Sequence, residues 1–198
     1  MQRVQTIWDS PVGPLRIAAD VDLKQSGVWD HGPVTELGHP AIKPKSYDTV
    51  QGHCVGVYFP GHHPEPQHWD EMADLVSAGK IRILDTIVVQ LAEYFGGQRD
   101  RFEIPCQMLG TPFQQEVWAQ LSTIPAGQTV TYREIAIQIA RPQAIRAVGA
   151  AVARNPISII VPCHRVIGSN GKLTGFAGGV ERKEWLLKLE KSALRAAM

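Results

Sequence analysis

Residues 131–154, TYREIAIQIARPQAIRAVGAAVAR, decide how the second half of this chain folds. Thr131 and Glu134 stand at capping-box spacing. The threonine oxygen can accept from the backbone N–H of Glu134 while the glutamate reaches back to the N–H of Thr131. A helix is therefore expected to run from there to about Ile139. Arg141-Pro142-Gln143 makes a turn, because proline disfavours helix at the residue before it. A second helix is expected over about 144–154. Two short helices joined by a tight turn make a helix-turn-helix. At about 100° per residue, Ile145, Val148 and Val152 fall on one side of the second helix, the expected core face. Arg146, Ala150 and Ala153 fall opposite, with Gly149 at the border. Small residues let a helix backbone come close to another surface. This face fits either a close approach to DNA, with one long cation reaching in, or packing against a neighbouring helix.

Toward the C-terminus, Asn155-Pro156 ends that helix. Ile157-Ser158-Ile159-Ile160-Val161 is expected to be a short buried strand from its β-branched content. Pro162 stops it and delivers Cys163 on a turn at the edge of the core, a place where rigid scaffolds present reactive groups. On residue type alone a free cysteine is more often an inert core thiol. His164 and Arg165 follow, however, and a cationic neighbourhood lowers a thiol's pKa. Adjacent side chains usually point apart, so a direct Cys163–His164 hydrogen bond and a bridging water are both open. Gly168-Ser169-Asn170-Gly171 reads as a tight hairpin and residues 173–179 as a Gly-rich loop. The loop lacks the phosphate-cradling pattern; its glycines would let a flat ligand lie against backbone beside Phe176. A final helix, expected over about 181–194, sets Trp185, Leu186 and Leu189 inward and carries Glu190.

The net charge of +1 hides an asymmetry. Residues 131–198 carry eleven Lys and Arg against four Glu, a net of +7, and the rest of the chain carries nine basic against fifteen acidic side chains, a net of −6. The split suggests a basic half that meets a polyanion and an acidic half that does not. With 44% hydrophobic and 20% charged residues the 198-residue chain has ordinary globular composition, enough for one large domain or two small ones. No signal peptide is visible and no stretch approaches membrane-spanning length, so a cytoplasmic protein without a membrane partner is expected. Cys54, Cys106 and Cys163 are too few and scattered for a disulfide framework and are expected to be free thiols.

In the N-terminal half, Gln5-Thr6-Ile7-Trp8 and Leu15-Arg16-Ile17-Ala18-Ala19 flank a Pro11-Val12-Gly13-Pro14 turn and predict a hairpin. Residues 20 to about 50 lack sustained periodicity and are expected to form a surface loop or insertion. Cys54-Val55-Gly56-Val57-Tyr58-Phe59 predicts a third strand. Ile81, Leu84, Ile87, Val88, Leu91 and Phe95 predict a helix that Gly96-Gly97 ends. Strands followed by one helix imply a small α+β unit over residues 1–107. The second half opens with Thr111 as N-cap and Pro112 at the first helical position, and Phe113, Val117, Trp118 and Leu121 give that helix its apolar side. His53, Cys54, His62, His63 and His68 lie near one another in sequence, but their spacing matches no zinc pattern, so a solvated histidine-rich loop without metal is expected.

Several of these segments recur together in one family. Pro162-Cys163-His164-Arg165-Val166, the Arg146-Ala147-Val148-Gly149 helix, Asn155-Pro156, Gly178-Gly179 and Lys183-Glu184-Trp185-Leu186-Leu187 stand in order within residues 107–191. In this the chain resembles the methylated-DNA–protein-cysteine methyltransferases, or O6-alkylguanine-DNA alkyltransferases, with a looser likeness in the N-terminal strands and helix. The resemblance implies an α+β fold. Residues 1–107 would hold a small antiparallel sheet and helix of ribonuclease H-like kind, and 108–198 a mainly helical domain with the helix-turn-helix, which binds DNA and accepts the alkyl group. Cys163 is then the acceptor. His164 takes its proton through a water, Glu190 holds and polarises that histidine, and Asn155 braces the turn.

The same resemblance assigns the DNA face and the base pocket. The second helix enters the minor groove through Ala144, Ala147, Gly149 and Ala150. Arg146 fills the gap left in the base stack. Tyr132 rotates the 3′ phosphate and donates a hydrogen bond to the flipped guanine. The pocket is lined by Val166, Phe176, Ala177, Gly178 and Val152, with the carbonyls of Cys163 and Val166 and the amide of Ala177 reading the guanine edges. Sulfur attack leaves a stable thioether, so the protein would act once, as a monomer on duplex DNA carrying O6-alkylguanine or O4-alkylthymine, with no cofactor. Two features depart from the family pattern: a tyrosine is common where Phe176 stands, and residues 20–50 exceed the usual connection. Competing readings are a non-catalytic lesion sensor, which would lack Cys163, a transcription factor, which would carry more base-reading side chains than Arg146, and a cysteine hydrolase, which would not need the helix-turn-helix.

Overall fold

In the computed structural model the described residues are 2–21, 29–34, 40–44, 52–62 and 82–196. Strands β1 (Gln2–Ser10) and β2 (Gly13–Val21) pair antiparallel from Gln2↔Val21 to Ser10↔Gly13. Gly13 takes φ +98 at the corner, a conformation that favours glycine, and the Ser10 hydroxyl donates to its carbonyl at 2.6 Å. Strand β5 (Gly52–Tyr58) lies on the other side of β2, giving the order β1-β2-β5. Helix α1 (Arg82–Phe95) covers one face with Leu84, Ile87, Leu91 and Tyr94, all buried. The predicted hairpin, third strand and helix are thus present. Residues 20–50 differ from the expected loop: their described backbone contains β3 (Trp29–Val34) and β4 (Pro40–Pro44), paired antiparallel. Both strands are short and carry Pro33, Pro40 and Pro44, which break the alternation that marks a strand in sequence.

The C-terminal half adds α2 (Pro112–Leu121), β6 (Val130–Thr131), α3 (Tyr132–Gln138), α4 (Ile145–Ala153), a 3-10 turn (Cys163–Arg165), β7 (Val166–Ile167) and α5 (Val180–Ala196). Thr111 and Gln114 form a capping box on α2, as Thr131 and Glu134 do on α3. The Trp118 indole of α2 donates to the Ala151 carbonyl of α4 at 2.9 Å, which fixes these two helices together. Gly110 gives the indole room, since a Cβ there would stand 2.6 Å from the ring.

Three packing expectations are corrected. Residues 157–161, buried except for half-buried Ile160, form a tight turn with isolated bridges rather than a strand, because Ile159 sits at φ +73 and reverses the chain. Ile145 is 39% exposed at the first residue of α4, where Ala151 joins Val148 and Val152 in the core instead. Trp185 is 38% exposed, and its ring lies against Phe95 of α1.

The two halves are joined by backbone. Cys54 N donates to Pro105 O and Gln107 N donates to Cys54 O. Further along the same edge Val57 N donates to Pro156 O and Ser158 N to Val57 O. Strand β5 therefore receives both the segment leading into the second half and the segment leading to Cys163. One continuous apolar core runs from Val4 and Leu15 through Val57 and Leu91 to Val148, Ile157 and Leu186. Among the described residues no helix is long and apolar enough to cross a membrane.

Candidate active site

Asn155 is buried at the end of α4. Its amide donates to Val161 O at 2.8 Å and its carbonyl accepts from Ile157 N at 3.1 Å, closing the turn that proline began. Pro162 then starts the 3-10 turn, with Cys163 N donating to Val161 O and Arg165 N to Pro162 O. Cys163, His164 and Arg165 all face inward.

The expectation of a thiol acidified by cationic neighbours is corrected by this burial. Arg165 points away to pair with Glu190. Burial is the largest influence on Cys163 and pushes its thiol up, with Asn155, the Lys183 charge and Ser158 offsetting only part. At neutral pH the resting side chain is a thiol, so a base must take its proton.

His164 is the next residue on the turn. Its Nε2 lies 2.8 Å from Glu190 Oε1, and its Nδ1 is a buried nitrogen with no hydrogen-bond partner among the described residues. An ionised carboxylate carries no proton, so Nε2 must hold the hydrogen and Nδ1 is left as an open acceptor. Burial lowers the histidine's pKa, with Glu190 pulling the other way, and the ring rests neutral.

Glu190 comes from α5 and collects donors from four places. Tyr94 Oη donates to Oε1 at 2.8 Å and Gly127 N to Oε2 at 2.9 Å. Arg165 donates through Nε to both oxygens and through Nη2 to Oε1 at 2.8 Å, while its Nη1 holds Ile124 O. Burial alone would raise this carboxyl, but the His164 and Arg165 hydrogen bonds and charges overcome it and hold it well below the usual carboxylate range.

Neighbouring side chains shape the floor. Lys183 of α5 is fully buried and donates to Val166 O and, at 2.8 Å, to Thr174 O. Burial brings its pKa down to about 8, with the Cys163 charge opposing. Tyr132 donates to the same Thr174 carbonyl at 3.1 Å, tying the start of α3 to the Gly-rich loop. Phe176 is half-buried, edge-on to Phe59 at 5.3 Å and 6.5 Å from the His164 ring. Gly178 is buried, and a Cβ there would stand 2.7 Å from the Phe59 ring. Val152 and Val166 are buried and Ala177 is half-buried. On the outer side of α4, Arg146, Ala147 and Ala150 are exposed, with Ala144 and Gly149 half-buried and Gly149 facing Tyr132.

Sequence reasoning assembled Cys163, His164, Glu190 and Asn155, and the structure brings these four together. It missed Tyr94, Gly127, Lys183 and Phe59. Burial of a lysine had one available signal, the apolar neighbours Leu186 and Leu187 one turn on; the other three come from distant chain. A cleft of 460 Å³ borders the turn, lined by Phe102, Met108, Pro125 and Arg165 among others. Among the described residues no cluster of three or more His, Cys, Asp or Glu could hold a metal. His53 is exposed, but His62 is buried edge-on to Tyr58 instead of solvated, and His63 and His68 lie outside the described residues.

Fold and site together define an α+β protein with a buried cysteine, Cys163, followed by a histidine hydrogen-bonded to a buried carboxylate, and with a helix pair whose outer face is made of small residues. The family described as 6-O-methylguanine DNA methyltransferase, DNA binding domain, matches residues 112–192. A methylated-DNA–protein-cysteine methyltransferase of Mycobacterium tuberculosis is 42% identical over 184 residues, covering 93% of this chain and 90% of its own. One of Methanosarcina barkeri is 57% identical over 106 residues, 54% of this chain and 67% of that protein. The crystal structure of Mycobacterium tuberculosis OGT in complex with DNA has a TM-score of 0.70 at 36% identity, covering 98% of this chain and 94% of that one. The chain belongs to the methylated-DNA–protein-cysteine methyltransferase family.

Proposed function

We propose that this protein is a single-use DNA-repair alkyltransferase that extrudes O6-alkylguanine from duplex DNA and moves the alkyl group to Cys163. The observation that carries the reading is the buried Nδ1 of His164, the residue after Cys163, left open among the described residues while Nε2 is tied to Glu190. A target atom inside a duplex is out of reach, so the nucleotide leaves the stack at a cost of about a few kcal/mol. A water between Cys163 and His164 Nδ1 passes the thiol proton to the imidazole. The sulfur attacks the alkyl carbon, the S–C bond forms and the C–O6 bond breaks. The purine departs with the bonding pair and finally regains the proton held by His164. Tyr132 stabilises the leaving purine by hydrogen bonding.

In this reading the α3–turn–α4 pair is a helix-turn-helix whose second helix lies in the minor groove. Ala144, Ala147, Gly149 and Ala150 face the duplex and Arg146 fills the vacated stack. The base lies between Phe176 and the backbone of Val166, Ala177 and Gly178, with Val152 behind. Phe176 offers stacking without the hydroxyl that a tyrosine would add. Residues 1–107 act as the α+β support and 108–198 as the DNA-binding and acceptor unit. Free thiols at Cys54, Cys106 and Cys163 fit a reducing cytoplasm, and the protein works as a monomer with neither metal nor cofactor.

Intact mass tests the proposal. After incubation with a duplex carrying O6-methylguanine, the protein should gain one CH₂ once, and Cys163→Ala should gain nothing. Binding the duplex without any mass gain would make it a lesion sensor instead.

A further inference from the structure

We propose that Tyr94, carried by α1 of the N-terminal half, is a positioning residue for alkyl transfer that orients Glu190 and moderates its pull on His164. The inference rests on the alkyltransferase reading above. Tyr94 Oη donates to Glu190 Oε1 at 2.8 Å and lies 3.5 Å from His164 Nε2, which shares that same oxygen at 2.8 Å. Its ring is locked among Phe95 at 5.5 Å and Phe102 at 5.4 Å, and the residue is buried. Burial, with Glu190 adding to it, pushes the phenol's pKa well up, so this hydroxyl remains a donor throughout the working pH range.

The groups facing His164 come from three elements. Glu190 and Lys183 belong to α5, Arg165 to the 3-10 turn, and Tyr94 to α1. Phe176 adds only an apolar edge. Every donor on Oε1 draws off charge that would otherwise favour the imidazolium. With Arg165 already paired to the carboxylate, the Tyr94 hydroxyl has two effects. It selects the carboxylate rotamer that meets Nε2, and it weakens the attraction that would protonate His164 before the thiol does. The N-terminal half thereby reaches the chemistry through a residue of α1.

Tyr94→Phe keeps the ring and its packing and removes only the hydroxyl. Wild type, Tyr94→Phe and Cys163→Ala are followed by intact mass during reaction with a duplex carrying O6-methylguanine over about pH 5 to 9. Tyr94→Phe should react about fivefold more slowly at neutral pH, and the acid limb of its rate profile should move up by roughly half a unit. An unchanged rate and profile, or slowing by one factor at every pH with the acid limb in place, would overturn the positioning role and leave the alkyltransferase reading standing. Failure of the folded wild type to gain mass at all would overturn that reading and this inference with it.

Discussion

Cys163 illustrates how burial and reactivity are reconciled at one residue. Removing water raises the thiol's pKa, which protects it from adventitious electrophiles at rest. In the proposed mechanism its activation depends on a neutral, buried base, the role assigned to His164 through Nδ1. His164→Gln can still donate to Glu190 but offers no base. The single-turnover rate of Cys163 alkylation should fall roughly 100-fold near neutral pH. The deficit should narrow as the pH rises toward the elevated thiol pKa, because solvent then removes the proton unaided. A deficit that is constant with pH would mean that His164 serves packing alone.

At the scale of elements, α3 and α4 were legible in their ends and ambiguous in their purpose. Thr131 with Glu134 and Pro142 act on backbone within three or four residues, so their effect is written locally. The outer face of α4 is different, since Ala147, Ala150 and Ala153 serve equally to approach DNA or another helix. In the fold this face is exposed, with no helix of the described chain covering it. Arg146→Ala should slow repair of O6-methylguanine in duplex DNA much more than reaction with free O6-benzylguanine, both read as single-turnover rates. Equal loss on the two substrates would remove Arg146 from the base-stack role. Residues 157–161 show the opposite failure of local reading. β-branched residues favour extended backbone, but the Asn155 bonds and the reversal at Ile159 override that preference and give a turn.

The whole molecule is one core served by two halves, stitched along β5. Its stability carries the imprint of the relay. His164 has a folded pKa below its ordinary value and Glu190 is held well below its own, so the unfolded chain binds more protons as the pH falls. The stability contributed by these two groups should therefore be complete above the histidine range and decline as pH drops through about 6.5 and again through about 4.3, their ordinary values. Thermal unfolding measured from neutral to acid pH should show Tm falling across both windows; a Tm that is flat or rises there would contradict the assigned protonation states.

What the sequence determined by itself was much of what neighbours along the chain govern: capping boxes, proline and glycine stops, and helical periodicity; Cys163, His164, Asn155 and Glu190 were picked out as a set by resemblance to the family. The short β3–β4 pair escaped because proline hides its pattern, and Ile145 and Trp185 were misassigned because periodicity gives a face without saying what covers it. Only the tertiary structure decided the state of the thiol, the closure of Glu190 by Tyr94, Gly127 and Arg165, and the burial of Lys183. Tyr94 and Glu190 are 96 residues apart. Desolvation and charge pairing depend on which distant groups arrive and on how much water they exclude, and no local pattern encodes that.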